Sequence, residues 1–339
     1  MTVIYYQDDV QPDALDGQTV AVIGYGNQGR SWSLNLRDSG LRPRVCVRAD
    51  ESREMARADG FDTGEPADAN DADIVCVLIP DDAIPELVLQ PADDALTIVA
   101  SGYALAFDQI DPPGDQTMIA PRMLGPEVRR CFTEGVGFIS AVGVHRDRTG
   151  RALARTLAVA DAIGALHQGA IALTPRQEAV LDLAVEQVLS PALTHVNNAF
   201  VQTMLANDIP LEAIITELVL SGEVERSYRL LREVGFAVQL DYHSPTSQYG
   251  QLSRRGRFDH LDTRTTMDQL TDDIVSGRFA SEWAAEAAAG HPTLASLRDQ
   301  HAGPLVEDLE VELRRRLGPG VLERRDHGSG TGRPPDAHR

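Results

Sequence analysis

The sequence predicts an α/β chain in two parts: an N-terminal doubly wound parallel sheet covered by helices, and a C-terminal domain built of helices alone. Three observations support this. From about residue 18 to 145, short β-branched runs alternate with helix-like stretches, the pattern of a parallel sheet buried on both faces. Beyond about residue 170 the segments are long and helical and strands become scarce,. The length, 339 residues, is enough for two domains that each bury a core,.

Taken in order, the predicted strands are "TVAVIG" (19 to 24), "RVCV" (44 to 47), "DIVCVLI" (73 to 79), "ALTIVAS" (95 to 101), "QTMIAP" (116 to 121) and "FISAVGV" (138 to 144), and the texture changes after "GAIALTP" (169 to 175). The helical part runs through "EAVLDLAVEQVLSPALTHVNNAFVQTMLA", "LEAIITELVLSGEVERSYRLLREVG" and "MDQLTDDIVSGRFASEWAAEAAAG". The expected domains are residues 1–170 and 171–322, followed by a Gly- and Pro-rich tail, 323–339, expected to be disordered,.

Composition narrows the function. With 51 acidic against 31 basic residues the formal charge is -20, which repels nucleic-acid phosphates and anionic membranes and leaves a small-molecule substrate as the expected partner. No run of 18 apolar residues occurs and the first residues are acidic, so a cytoplasmic protein is expected. Cys46, Cys76 and Cys131 stand far apart with no metal-ligand spacing, and read as small buried apolar residues. His145 and His195 likewise lack a ligand partner at helical spacing,. Every basic residue is arginine; the chain contains no lysine.

In "TVAVIGYGNQGRSWSLNLRDSG" (19 to 40), Gly24, Gly26 and Gly29 stand directly after a strand and at the start of a helix. That is the dinucleotide-binding fingerprint of the Rossmann fold: one glycine for the tight turn, one for close approach to the pyrophosphate, one for helix-strand packing, with the anion at the helix N-terminus. At the second strand, "RVCVRADESR" offers Arg48, Ser52 and Arg53. A guanidinium and a hydroxyl suit a 2′-phosphate and favour NADPH, although Asp50 and Glu51 are placed where an acid would take the ribose of NAD.

In "LTPRQEAVLDLAVEQVLSPAL" (173 to 193), Asp182 and Glu186 interrupt an apolar helix one turn apart. They project from one face, and no Arg or His lies four residues away on that face,. Buried bare carboxylates are costly, and a hard cation such as magnesium is the expected partner; the alternative is a partly exposed pair of helix charges.

Dispersed stretches then carry a resemblance along residues 5 to 315: "YYQDD", "GYGNQGRSWSLNLRDSG", "LIPDD", "EVRRCFTEGVG", "DLAVEQ", "SPTSQYG" and "SGRFASEW". The chain resembles ketol-acid reductoisomerase, in its short form with one helical domain per subunit. The resemblance implies a knotted helical domain, a homodimer or larger assembly with a shared active site, NADPH, and one or two Mg2+ ions bridging substrate oxygens. It implies an alkyl migration in a 2-hydroxy-2-methyl-3-keto acid followed by reduction. Carried over by position, Asp182 bridges the metals, Glu186 is a ligand of the first, Glu223 is a ligand given to the partner subunit, and Ser244 holds the substrate carboxylate. Gly24, Tyr25, Gly26, Asn27, Gln28, Gly29, Arg48, Ser52, Pro80 and Asp81 line the cofactor.

The pocket departs from the family pattern in four places. Ser101 stands for a histidine, Arg122 for the lysine that polarises the substrate, and Val219, with Glu217 close by, for a second partner glutamate. Val185 and Leu193 replace glycines, and Pro191 is expected to bend the helix. Alkyl migration needs both metals and well-placed acid and base groups; hydride transfer needs a positioned nicotinamide and one electrophile. The leading expectation is therefore a repurposed NADPH-dependent reductase of a ketone, 2-keto acid or imine, with Arg122 as electrophile. The alternatives are a divergent ketol-acid reductoisomerase of branched-chain amino acid biosynthesis and a catalytically inactive dinucleotide-binding sensor.

Overall fold

The computed structural model describes residues 1–301, 311–313 and 315–316; the tail expected over 323–339 lies outside them. The chain divides into two units, Met1–Leu183 and Ala184 onward, later in the sequence than residue 170.

In the first unit the chain runs β1 (Ile4–Tyr5), β2 (Val20–Ile23), α1 (Asn27–Asp38), β3 (Arg44–Cys46), α2 (Glu51–Ala58), β4 (Thr63–Gly64), β5 (Ile74–Val77) and β6 (Leu96–Val99). It continues through α3 (Tyr103–Ala106), β7 (Asp115–Pro121), α4 (Gly125–Thr133), β8 (Ser140–Arg146), α5 (Ala152–Ala162), β9 (Ala170–Ala172) and α6 (Pro175–Ala184). The strands form one nine-stranded sheet in the order β1-β9-β8-β7-β6-β5-β2-β3-β4. Successive side chains alternate between its faces: Val20 and Val22 join Trp32, Leu36 and Ile163 on one side, Ala21 and Ile23 join Ala69, Ile84 and Leu105 on the other. That double burial is why these strands read as unbroken apolar runs.

The sheet is not wholly parallel, which corrects the expectation. β8 runs antiparallel to β7, and β1 antiparallel to β9. A strand buried on both faces has the same composition in either direction, so its sequence carries no record of orientation. The β7–β8 ladder continues past both strands, with the Arg122 amide donating to the Ile139 carbonyl at 3.0 Å, and so fixes the backbone of Arg122 at the sheet's end. The two-residue strands β1 and β4 are too short for any periodicity to announce them. Cys46, Cys76 and Cys131 are buried, as expected; burial pushes the Cys46 thiol up to about 11.

The second unit opens with a π-helical turn, Val185–Leu189, and continues through α7 (Ser190–Leu205), α8 (Leu211–Ile215), a second π turn Thr216–Leu220, and α9 (Glu223–Gln239). It then runs through α10 (Pro245–Arg255), α11 (Thr263–Val275), α12 (Arg278–Ala288) and α13 (Pro292–His301). Pro191 has no amide hydrogen for the preceding turn. The register widens just before it: the Ser190 amide donates to the Val185 carbonyl, which also accepts from the Ser190 hydroxyl at 2.9 Å. The expected bend is thus absorbed as a π turn. No residue of α7 is buried, and Leu193, Val196, Phe200 and Leu205 are exposed. No described helix is long and apolar enough to cross a membrane.

One buried ion pair anchors the first unit. Asp115, at 0 % side-chain exposure, meets Arg155, at 2 %, with Oδ2 to Nη2 at 2.5 Å. Burial by itself would raise the Asp115 carboxyl, but the Thr149 hydroxyl, the Arg148 and Thr149 amides and the Arg155 guanidinium together hold it below the ordinary value. A lowered native pKa contributes stability above the unfolded-state value of 3.8, lost as pH falls through the lower native value,. Asp115→Asn leaves a buried guanidinium unpaired and should cost about 3–5 kcal/mol at pH 7. Urea unfolding at pH 7 and at pH 3 should show the gap between wild type and variant narrowing in acid.

Candidate functional site

The glycine loop follows β2 directly. Gly24 adopts φ +99°, and a Cβ there would lie 2.4 Å from the Leu78 carbonyl oxygen, so only glycine makes this turn,. A Cβ on Gly29 would lie 2.2 Å from the Gly24 carbonyl oxygen, while one on Gly26 would meet nothing within 4 Å. Two of the three glycines therefore serve the fold, and Gly26 leaves open space at the N-terminus of α1, where a pyrophosphate fits.

Two residues of the loop turn their side chains inward. The Tyr25 ring is buried edge-on to Phe61, and its hydroxyl donates to Asp59 Oδ2 at 2.8 Å. Burial, with Asp59 adding to it, raises the phenol pKa; Asp59 also accepts from Arg30 Nε at 2.7 Å. Gln28 donates to the Met123 carbonyl at 3.3 Å and accepts from Trp32 Nε1 at 3.1 Å. Gln28 thereby ties the cofactor loop to the loop after β7 that carries Arg122. Gly26 and Asn27 are exposed, as are Pro80 and Asp81 where β5 ends.

At the end of β3 the acidic and basic candidates separate by role. Asp50 Oδ1 accepts the Ser52 amide at 3.0 Å and caps α2. Arg53 is committed to Glu65 at 2.7 Å and to the Val47 carbonyl. Arg48 is 87 % exposed, held only loosely at 4.0 Å from Asp50, and stays available beside Ser52 for an incoming phosphate.

The catalytic candidates converge on Arg122, immediately after β7. Its Nη1 lies 2.9 Å from Glu178 Oε1 and 3.1 Å from Asp182 Oδ1, so the cation reaches two carboxylates one turn apart on α6. Glu178 is 1 % exposed, and its second oxygen accepts the Gly102 amide at 2.5 Å. Burial pushes the Glu178 carboxyl up, opposed by the Gly102 amide and Arg122 and reinforced by Asp182. Gly102 is obligatory here, since a Cβ would lie 2.1 Å from the Pro175 carbonyl oxygen and 2.7 Å from Glu178 Oε2. Arg122 Nη2 is closed off from solvent and has no acceptor. Ser101, beside Gly102, is partly buried.

Three expectations change. Asp182 is not a buried bare carboxylate: its side chain is 47 % exposed and it is neutralised by Arg122, which lies sixty residues away in sequence rather than on the same helix. Glu186 is exposed, in the π turn that follows α6. The fully buried carboxylate of α6 is Glu178, four residues before Asp182; the same spacing that singled out Asp182 and Glu186 extends backward to it. In the second unit Glu223 and Glu217 are exposed, and Ser244 caps α10 by accepting the Ser247 amide at 3.2 Å.

Magnesium takes one or two carboxylates and completes its shell with water and substrate oxygens. Among the described residues no three His, Cys, Asp or Glu side chains converge on one point, and the Asp182 oxygen already holds a guanidinium. At Asp182 itself, as folded in this chain, an incoming ion would meet a guanidinium already in place.

Comparison with known proteins agrees with the geometry of the loop. Residues 14–169 match the acetohydroxy acid isomeroreductase NADPH-binding domain, and residues 176–318 match the ketol-acid reductoisomerase C-terminal domain. A ketol-acid reductoisomerase (NADP(+)) from Methanocaldococcus jannaschii is 36 % identical over 329 residues, covering 94 % of this chain and 99 % of that one. Its namesake from Caldivirga maquilingensis is 35 % identical, covering 94 % and 100 %. The solved structure of an NADH-preferring ketol-acid reductoisomerase from an uncultured archaeon superposes with a TM-score of 0.84 at 27 % identity, covering 93 % of this chain and 99 % of that one.

The glycines separate fold from cofactor. Gly26→Ala should leave stability within about 0.5 kcal/mol of wild type, as for substitutions that touch nothing, while weakening NADPH binding in a fluorescence titration. Gly29→Ala should lose about 1–3 kcal/mol from overpacking as well as the cofactor.

Proposed function

The chain belongs to the ketol-acid reductoisomerase family and is an NADPH-dependent oxidoreductase, and from that premise we propose that it reduces a small ketone, 2-keto acid or imine with little or no alkyl migration. The observation that supports this reading is the placement of Arg122: a fixed cation, backed by a buried Glu178, with one guanidinium nitrogen lacking an acceptor.

NADPH, when bound, supplies the hydride. The Gly24–Gly29 loop and the α1 N-terminus hold its pyrophosphate, and Arg48 with Ser52 favours the 2′-phosphate over a bare ribose. Arg122 takes the substrate oxygen, and its charge stabilises the alkoxide that forms as the carbonyl carbon accepts the hydride. Glu178 acts through Arg122, setting its position. The guanidinium keeps its proton at neutral pH, so the proton that completes the alcohol comes from solvent.

The helical unit joins a second copy of the chain to form a homodimer, and the active site is shared between the two. The exposed apolar side chains of α7, Leu193, Val196 and Phe200, support this, since contiguous apolar patches mark interfaces, and Glu223 and Ser244 reach substrate only in that assembly. Phe200→Asp on that stripe should shift the protein toward monomer in sedimentation and lower turnover in parallel.

A second reading, a full ketol-acid reductoisomerase that performs both steps, is favoured by identity along nearly the whole length of enzymes so named. NADPH oxidation with 2-acetolactate and with 3-hydroxy-3-methyl-2-oxobutanoate, with and without Mg2+, decides between them. Turnover of the rearranged acid alone is the expected result; turnover of both would establish the second reading. Arg122→Gln should lower kcat by about 10²–10³, the scale of losing one oxyanion donor.

A further inference from the structure

Three observations meet at Asp182. Its Oδ1 is 3.1 Å from Arg122 Nη1. The same nitrogen is 2.9 Å from Glu178, which is buried and clamped by the Gly102 amide. The Arg122 backbone is locked into the β7–β8 ladder through the Ile139 carbonyl. The guanidinium is therefore fixed at its root by the sheet and at its tip by a carboxylate that cannot move into water, and Asp182 is the exposed partner of the three.

We propose that Arg122 is this chain's resident cation at Asp182, so that a divalent ion binds there only in competition with the guanidinium. The chemistry is direct. A divalent ion on Asp182 would lie within a few ångströms of a positive charge it repels, and one of the two carboxylate oxygens already accepts a guanidinium N–H,. Guanidinium cannot escape the conflict by losing a proton, as an amine can. Nor can Arg122 swing away freely, because that would leave Glu178 buried without its partner, a costly state. Gly102, with no room for a Cβ, lets its amide reach Glu178, which in turn holds the guanidinium. The inference rests on the same site as the reductase reading and deepens it: the chain carries its own electrophile, and that cation competes with a metal for Asp182.

Binding of Mn2+ to the purified full-length protein, followed by electron paramagnetic resonance of the free ion without NADPH or substrate, tests this. Wild type should bind Mn2+ weakly, and Arg122→Gln should bind it at least about tenfold more tightly, the scale on which groups bonded to a ligating side chain tune metal affinity. Adding Asp182→Asn to Arg122→Gln should abolish the gain. If Arg122→Gln does not fold because Glu178 is left unpaired, the double variant Arg122→Gln/Glu178→Gln removes both charges and should show the same tightening. Equal affinities in wild type and variant, or tight wild-type binding that Asp182→Asn abolishes, would overturn the proposal. A separate NADPH-oxidation assay keeps the outcomes apart: tight metal binding by an active reductase sinks this inference alone, and weak metal binding by a protein that reduces nothing sinks only the reductase reading.

Discussion

A buried carboxylate with one fixed cation is the interaction on which the site depends. Glu178 is out of water, and its charged form is tolerable only because a backbone amide and Arg122 both turn toward it,. That requirement reaches back into the fold. It demands a glycine at 102, because any side chain would strike α6, and it demands that β7 end in a ladder firm enough to aim Arg122. The loop after β7 is in turn pinned to the cofactor helix by Gln28, and the Ser31 hydroxyl donates to the Gly125 carbonyl at 2.7 Å. The glycine loop and the cation are thus parts of one rigid arrangement, which is what hydride transfer asks of a protein: little motion and one well-placed charge.

Much of this was legible in the residues. Each of the longer strands announced itself as an apolar run because both faces of the sheet are covered, and the three glycines announced the loop because backbone geometry leaves them no substitute. The direction of β8 was not legible, since burial on both faces erases it. Glu178 was passed over because it lies in the polar first turn of its helix, "TPRQE", where acids are ordinary; only its distance from Asp182 marked it. The partner of Asp182 was missed for a different reason. Helical spacing finds neighbours on one helix, whereas Arg122 arrives from the end of a strand, a contact that only the tertiary fold creates.

The apolar residues of 185–205 mislead in an instructive way. Read along the sequence they describe a buried helix, yet Val188 alone of them is buried, and α7 (Ser190–Leu205) buries none of its residues within the chain. Hydrophobic pattern records burial wherever it is achieved, against the same chain or against another, and cannot say which. The same ambiguity placed Asp182 in an apolar interior: its neighbours Leu181, Val185 and Leu189 are apolar but exposed. Glu178 is free of that ambiguity, since its burial is completed by the sheet unit itself.

This difference bears on whether the protein is an enzyme or an inert binder of dinucleotide. A binder needs the glycine loop, Arg48 and the packing of α1, and nothing more. It has no use for a carboxylate sealed beneath a guanidinium whose second nitrogen lacks an acceptor, because each such group subtracts stability and could be replaced by hydrocarbon at a gain. Unsatisfied polar groups persist where a ligand completes them. Arg122 stands two residues before Leu124, whose carbonyl accepts the first amides of α4, and Gly125 in that turn packs directly on Asn27 of the cofactor loop. An inert binder gives no reason for that cation, its buried carboxylate and the cofactor loop to be tied into one piece of backbone.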